Sequence, residues 1–246
     1  MEILIFFIAH WYLSLFAQSF FHHRYSAHQM FTMNKFTEKI FFVFSFIVQG
    51  SSYMSPKVYG AMHRMHHAHA DTEKDPHSPK YSNNVIKLMV KTYHQFRGVQ
   101  NKTIELKDAF YKNLPDWKWF DNMAGSFIVK LLWAFAYILF YVKFATAWWM
   151  FLLIPVHILM GPVHGTIVNW FAHKIGYTNH DLDNTSKNLM PFDPFMLGEG
   201  YHNNHHAHGG RANFAEKWYE IDPIYPIIRL FDWIGIIKLK QVALKS

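Results

Sequence analysis

The chain has 246 residues with a formal net charge of +7, and 51% of its residues are hydrophobic and 19% aromatic. This apolar fraction exceeds that of ordinary soluble domains and favours a membrane protein. The absence of cysteine excludes disulfides and thiolate metal sites, so any metal must be bound by histidine or carboxylate side chains.

Apolar runs at residues 3–21, 126–143 and 146–168 are long enough to cross about 30 Å of hydrocarbon as helices. The first run lacks the basic segment and the small-residue cleavage site of a signal peptide, so we expect it to be retained. The third contains Pro155, Gly161 and Pro162, which predict a kinked helix packed against protein rather than lipid.

Two further segments are expected to be interfacial helices. Residues 37–52 are aromatic and apolar, and residues 224–240 contain apolar residues flanked by Arg229 and Lys238. If the first of these crossed the membrane, the histidines before and after it would lie on opposite sides. The sequence therefore predicts an all-α, multi-pass helical membrane protein with about three transmembrane helices, interfacial helices and a cytosolic histidine-rich cap. The whole chain, 1–246, is expected to form one domain.

Basic residues predict the topology. Of the 24 Lys and Arg, none precedes Arg24, Lys130 sits just inside the second run, and Lys143 lies in the tight turn between the second and third runs. By the positive-inside rule, the regions that carry the other basic residues face the cytoplasm, with the N-terminus outside. The histidines would then lie on the cytoplasmic side of an integral membrane protein, in the cell (inner) membrane if the source is bacterial.

Two histidine trios share the spacing i, i+3, i+4, which places three side chains on one narrow face of an α-helix. They are His63, His66 and His67 and, later in the chain, His202, His205 and His206. Asn169 and His173, at i and i+4, are expected to share a further face. Such faces could surround a metal from three sides.

Neighbouring histidines are less easily assigned. His69 and His208 each follow the first histidine of their trio by six positions, about 240° around a helix, and should point away from the ligand face. His23 and His28 are five apart, about 140° around an ideal helix, so they converge only if the helix frays, bulges or ends there. His22 is an alternative to His23 for this pair.

The candidate ligands number nine: His23, His28, His63, His66, His67, His173, His202, His205 and His206. Nine or ten ligands suit two metals with high coordination and an open position better than two tetrahedral zinc sites, which need eight. Imidazole alone does not identify the metal. We interpret the isolated His10, His94, His157, His164 and His180 as hydrogen-bonded core or interface residues.

Carboxylates near these motifs could orient the imidazoles. The candidates are Asp71, Asp75, Glu199 and Glu220, since metal-bound histidines usually donate their other ring N–H to such a group. A helix cap or a surface ion pair explains each of these carboxylates equally well.

The ordered motifs resemble the integral-membrane fatty acyl desaturases, specifically the acyl-CoA (stearoyl-CoA type) branch. That family carries the boxes HxxxxH, HxxHH and HxxHH, which "HRYSAH" at 23–28, "HRMHH" at 63–67 and "HNNHH" at 202–206 match. The likeness extends to "DPH" at 75–77, to the NxxxH of Asn169 and His173, to "GEGYHNNHH" from 198 and to "WYEIDP" at 218–223.

The resemblance implies a di-iron centre held by the nine histidines, with Asn169 contacting one iron through water; zinc could replace iron in purified protein. It also implies a saturated fatty acyl substrate, carried as acyl-CoA in this branch, and dioxygen as the oxidant. A separate electron donor, such as a ferredoxin or a small cytochrome, is expected because no haem-binding extension follows the C-terminal helix. By charge alone, without a motif, Arg24, Arg64 and the lysines of 71–112 could meet an anionic headgroup.

One departure from the larger family members is visible, since only one span precedes the first box. Three alternatives remain open: a membrane di-iron lipid hydroxylase, whose products would carry oxygen, a histidine-rich metal transporter and a structural metal-binding scaffold. Transport is disfavoured because His10, His157 and His164 are the histidines within spans and no acidic partner accompanies them. A structural metal scaffold would bind zinc without oxygen-dependent activity, and no nucleic-acid partner is expected.

Overall fold

Helices account for most of the computed structural model, which describes residues 1–240. Helix α1 (Glu2–Phe16) continues directly into a π-helix, Ala17–Ala27. The other α-helices are α2 (Lys35–Gln49), α3 (Pro56–His69), α4 (Val85–Gln100), α5 (Lys118–Ala124), α6 (Phe127–Phe144), α7 (Ile154–Ile158), α8 (Met160–Asn169), α9 (His202–Ala207) and α10 (Ile224–Trp233). Short 3₁₀ turns cover Gly50–Ser52, Pro79–Tyr81, Asp108–Tyr111, Trp148–Leu153 and Phe171–His173.

Two continuous helices among the described residues are long and apolar enough to cross a membrane, Glu2–Ala27 and Phe127–Phe144. The first extends past the predicted end at residue 21, so it carries His23 of the first histidine motif and ends just before His28. On α6, Ser126 caps the helix by accepting the Val129 N–H. Large apolar side chains of α6 are exposed, including Phe127 at 73% and Leu132 at 61%, as expected for a surface that faces lipid.

The third predicted span is not one straight helix. Trp148–Ile158 and Met160–His173 together are long enough, but they meet at an angle of 70°. Pro155 opens α7 and the backbone breaks at Leu159. The kink predicted from Pro155, Gly161 and Pro162 is therefore confirmed, and the chain has two or three candidate spans.

The two predicted interfacial helices differ from expectation at their ends. Helix α2 begins at Lys35, where the Asn34 side chain accepts the Thr37 N–H. It ends at Gln49, before Gly50, whose φ of 53° is readily adopted by glycine. The prediction of a C-terminal helix over 224–240 is wrong beyond Trp233. Gly235 at φ 77° turns the chain, and β2 (Lys238–Leu239) pairs antiparallel with β1 (Phe31–Thr32), a strand pair that the all-α prediction does not include.

The main aromatic core lies where the first long helix meets the rest of the chain. Phe20 and Phe21 of the π-helix, both fully buried, pack with Phe41 and Phe42 of α2 and with α5 and α10. Phe214 and Tyr201, which flank α9 in sequence, belong to the same cluster. One apolar core thus connects the first candidate membrane-spanning helix to α9, which carries the last histidine motif.

Candidate metal centre

The π-helix brings the first histidine pair together. The N–H of His28 donates to the carbonyl of His23 at 3.1 Å, an i to i+5 bond that characterises π-helical winding. The wider turn brings residues five apart near one another, and the two imidazole centroids lie 5.0 Å apart. The two histidines therefore converge because the helix widens to π-helical winding, and not because its end frays.

The second motif lies on α3, and contacts at its first turn and along its packing face hold this helix in place. Pro56 occupies the first turn and the Ser55 hydroxyl accepts the Val58 N–H, while that hydroxyl donates to Asp121 at 2.7 Å. A side chain at Gly60 would meet Ser26 Oγ at 2.7 Å, so glycine permits α3 to pack against the π-helix. His63 and His67 of the predicted face consequently lie beside His28 of the first pair.

The third motif lies on α9, a helix of six residues. Asn188 satisfies its first turn, because the Asn188 side-chain oxygen accepts the N–H groups of Asn203 and Asn204. The Asn204 amide in turn donates to Glu220 at 2.8 Å and to the carbonyl of Phe214 at 2.9 Å. A helix this short is stable only with such tertiary contacts.

The structure brings all nine predicted histidines together in two groups whose potential ligand atoms lie within 4.8 Å of one another. We call them the five-histidine group and the four-histidine group. The five-histidine group consists of His23, His28, His63, His67 and His205, and the four-histidine group of His66, His173, His202 and His206. Helices α3 and α9 each contribute to both groups.

The geometry within each group suits metal binding. The inward atoms are Nε2 throughout: His28 to His63 is 2.8 Å, His67 to His205 is 2.9 Å, and His173 to His202 is 3.0 Å. With metal–nitrogen bonds of about 2.1 Å, adjacent ligands in a six-coordinate shell lie about 3.0 Å apart. The residues present therefore fit two metal ions.

For four histidines outside the membrane helices, the surroundings favour the neutral form that a metal ligand needs. Burial lowers the pKa values of His63, His205 and His206 well below their usual range, and the charge of neighbouring imidazoles lowers them further. The pKa of His67 is lowered for the same reasons. Neutral imidazoles have a free nitrogen lone pair at ordinary pH.

Three of the four candidate carboxylates orient these imidazoles. His23 Nδ1 lies 2.6 Å from Glu199, and His66 Nδ1 lies 2.9 Å from Asp75. His173 Nδ1 reaches the Thr185 hydroxyl at 3.1 Å, and that hydroxyl donates to Asp71 at 2.8 Å. A proton held at Nδ1 leaves Nε2 free for a metal. Glu220 instead holds Asn204, Asn179 and Tyr177.

Arg24 has a structural environment that differs from the expectation of headgroup binding. Its side chain is fully buried, with ion pairs to Glu199 at 2.9 Å and Asp222 at 2.7 Å. The guanidinium also lies 3.8 Å from the centre of the Phe214 ring. Although burial opposes ionisation, the contacts with His23 and Arg24 lower the pKa of Glu199 to about 2. The expected contact of Arg24 with an anionic headgroup is therefore wrong, and Arg24 instead supports the carboxylate behind His23.

Other predicted positions fall outside the two groups. His22 bonds the carbonyls of Met54 and Ala17, so it is not the alternative partner for His28. His69 is half-buried against Phe110, and His208 belongs to a separate cluster with His180 and Glu216. Asn169 is the last residue of α8, and His173 lies on the following 3₁₀ turn. The continuous helical face expected for Asn169 and His173 is thus interrupted, and a role for Asn169 stays a prediction.

Several supporting residues are not evident from the sequence. Thr185, Asn188, Asn203 and Asn204 have no spacing that marks them individually. Two of them, Asn203 and Asn204, are the middle residues of "HNNHH", and both are 1% exposed. The sequence does offer one signal for these supporting residues: two amide side chains lie away from the predicted ligand face of a histidine-rich helix. Buried amides need hydrogen-bond partners, so such amides indicate polar contacts behind the helix.

Fold and site together define a helical membrane protein with a multi-histidine candidate metal centre. A profile of the family described as "Fatty acid desaturase" matches residues 2–231. The chain belongs to the fatty acid desaturase family.

Individual relatives are distant but align over most of the chain. The "Delta-9 desaturase-like 5 protein" of Arabidopsis thaliana is 29% identical over 89% of this chain and 70% of its own length. The "sn-1 stearoyl-lipid 9-desaturase" of Synechocystis sp. is 29% identical over 88% of this chain and 64% of its own length. The "Acyl-CoA 5-desaturase AL21" of Anemone leveillei is 26% identical over 87% of this chain and 64% of its own length.

Proposed function

We propose that this protein is an oxygen-dependent di-iron desaturase that introduces a cis double bond into a saturated fatty acyl chain. The reaction removes one hydrogen from each of two adjacent methylenes and reduces dioxygen to two waters, with two electrons from a separate donor and two protons. The observation that carries the proposal is the convergence of imidazole Nε2 atoms into two groups at the end of a membrane-spanning helix.

The nine histidines of the two groups are the proposed iron ligands and catalytic residues, with Asn169 as a further ligand through water. When bound, the iron pair would supply the dioxygen activation that cleavage of an unactivated C–H bond requires. The protein holds the Nε2 atoms of His23, His66 and His173 inward by keeping a proton at Nδ1 of each through Glu199, Asp75 and Thr185. Phe214 of the aromatic core lies against His23 and His205, with ring centroids 5.4 and 4.6 Å away, and helps to exclude water from the site.

The metal site is proposed to face the cytoplasm, with α2 and α10 in the membrane interface and one domain over the whole chain. Zinc is the expected substitute in purified protein, because imidazole ligands accept it. A ferredoxin or a small cytochrome is the proposed electron donor.

Acyl-CoA is the proposed carrier of the acyl chain. It is supported by the relative named an acyl-CoA desaturase and by exposed Lys74, Lys80 and Lys87, which suit an anionic headgroup. Acyl-lipid is the second candidate, because two relatives are named stearoyl-lipid desaturases and one an acyl-lipid desaturase.

The test is the fatty-acid profile, by gas chromatography and mass spectrometry, of a desaturase-deficient host that expresses the chain together with a ferredoxin and its reductase. A new monounsaturated acid that requires oxygen and is lost in His205→Ala is expected. His69→Ala is the matched control and should retain the product. Hydroxylated lipid would instead indicate the hydroxylase, and neither product from well-expressed protein would contradict the proposal.

The carrier is tested with purified protein and a reconstituted electron donor. Stearoyl-CoA and stearoyl-phosphatidylcholine would be supplied separately in the same vesicles. Conversion of the thioester is expected, whereas conversion of the lipid alone would assign the acyl-lipid carrier.

A further inference from the structure

A third group of potential metal ligands lies outside the two histidine groups. It consists of His180, in the loop before α9, His208, the residue that ends α9, and Glu216. His180 Nε2 is 2.7 Å from Glu216 Oε2, and His208 Nε2 is 3.5 Å from Glu216 Oε1. The two imidazole rings are perpendicular, with centroids 5.0 Å apart.

We propose that these three side chains form a separate binding site for one divalent transition-metal ion, with zinc as the best match. Two imidazoles and one carboxylate are a donor set of zinc sites that keep a fourth position open. The ligand atoms lie within 4.8 Å of one another. The His208 side chain is 48% exposed, so an ion can enter from solvent and water can complete its coordination.

Unpartnered polar atoms beside the group provide independent support. Ser186 is 2% exposed and its Oγ has no hydrogen-bond partner among the described residues. Ser186 and His180 both line a polar cleft of about 280 Å³. The buried Glu216 Oε1 has no hydrogen bond of good geometry from the described residues, and its neighbours are the longer ion-pair contacts with His208 and Arg211. Buried polar atoms without a protein partner indicate a bound water or ion.

Arg211 is the feature that separates a metal site from an ordinary ion-pair cluster. Its Nη1 lies 3.3 Å from Glu216 Oε1, where it competes with a cation for the carboxylate. In an ion-pair cluster Arg211 is a stabilising member and removing it creates no affinity for metal. In a metal site its removal should strengthen metal binding, because a positive charge near the ion is lost.

The site is connected to the four-histidine group through Asn203, the neighbour of His202. The Asn203 side-chain oxygen accepts the N–H groups of Asn179 and His180 at 2.9 and 2.8 Å. A metal held by His180 and His208 would therefore fasten this loop to the end of α9. The inference goes beyond the proposed desaturation and does not depend on it.

The experiment measures zinc uptake by purified, iron-loaded protein in competition with a chromogenic chelator, while iron content is recorded. Wild type should bind one further equivalent of zinc without losing iron. His180→Ala and Glu216→Gln should weaken this binding by at least the ~10–100-fold typical of changes around a metal site. Cobalt in place of zinc should give a visible absorption band that both variants lose.

Arg211→Gln and His94→Ala complete the design. Arg211→Gln should tighten zinc binding several-fold, which a loss of folding cannot imitate. His94 is an exposed histidine remote from the cluster in sequence, and His94→Ala should bind zinc as wild type does. No extra equivalent in wild type, or equal uptake in wild type and His180→Ala, would overturn the proposal.

Discussion

The five-histidine and four-histidine groups share helices α3 and α9 but are supported differently. The five-histidine group includes His23 of the membrane-spanning helix, and behind it stands a buried network of Glu199, Arg24 and Asp222. The four-histidine group takes no ligand from that helix. Its supports, Asp75 and the Thr185–Asp71 pair, come from loops between helices.

The two proposed metal positions therefore combine different ligand numbers with different kinds of anchorage. One position has five imidazoles and a charged support in the protein core. The other has four imidazoles, which leaves it one ligand fewer and better suited to exchange water or dioxygen. Each of the following changes tests whether this asymmetry is real.

The largest effect is expected when a ligand is removed from either group. His66→Ala leaves three imidazoles and His205→Ala leaves four, and each should lower turnover by at least about 100-fold, since even outer partners of metal ligands cost ~10–100-fold. Iron content should fall further in His66→Ala than in His205→Ala. Product formation and iron per chain would be measured together, and His69→Ala should keep most activity. Equal losses in all three variants would contradict the assignment of faces.

The next largest effect concerns the charged support of the five-histidine group. Arg24→Met removes the partner of two buried carboxylates and should lower the free energy of unfolding by about 3–5 kcal/mol, the usual result of leaving a buried charge unpaired. Arg24→Lys keeps the positive charge and should recover part of the lost free energy of unfolding. Chemical unfolding in detergent measures the change. A loss below about 1 kcal/mol in Arg24→Met would show that this network is not a stabilising anchor.

A smaller effect should separate the groups directly. Glu199→Gln and Asp75→Asn each weaken the hydrogen bond that fixes one imidazole, and each should reduce metal affinity ~10–100-fold at one position only. Iron titration of each variant should show one weakened and one unaltered equivalent. If both equivalents weaken together in either variant, the groups behave as one unit and the comparison fails.

The smallest effect is kinetic and needs no substitution. With excess chelator, iron should leave in two phases of equal amplitude, and the four-histidine group should release its ion several-fold faster because fewer bonds must break. Glu199→Gln should accelerate the slow phase and leave the fast phase unchanged. A single phase in wild type would argue against the asymmetry.

Periodicity predicts much of this arrangement. The helical spacing of His63, His66 and His67 is enough to predict a shared face for these proposed ligands, and the apolar runs are enough to predict the two continuous candidate spans. What the spacing does not indicate is that a single helix serves two groups, since His66 belongs to one group and its neighbours to the other. Division between the groups depends on which partner helix lies opposite, which is tertiary information.

The incorrect predictions have the same cause. Arg24 follows the ligand His23 and its positive charge suggests a headgroup contact, but its acidic partners are more than 170 positions away in sequence. The end of α10 is not predictable locally because β2 pairs with β1, also a distant segment. Helix periodicity reports which face is buried, and it carries no information about distant polar partners.

The winding of the first long helix explains the length of the first motif. Four-residue separations suit ordinary α-helical pitch, and α3 and α9 each contain one between ligand histidines. The first motif has one residue more, and His28 donates across that longer interval to the carbonyl of His23. The additional residue in the first motif thus reflects the wider π-helical turn. Deleting one residue between His23 and His28 would give the spacing of the other motifs. The two histidines would then converge only if the helix rewound to α-helical pitch, which would shift the register of every side chain that follows.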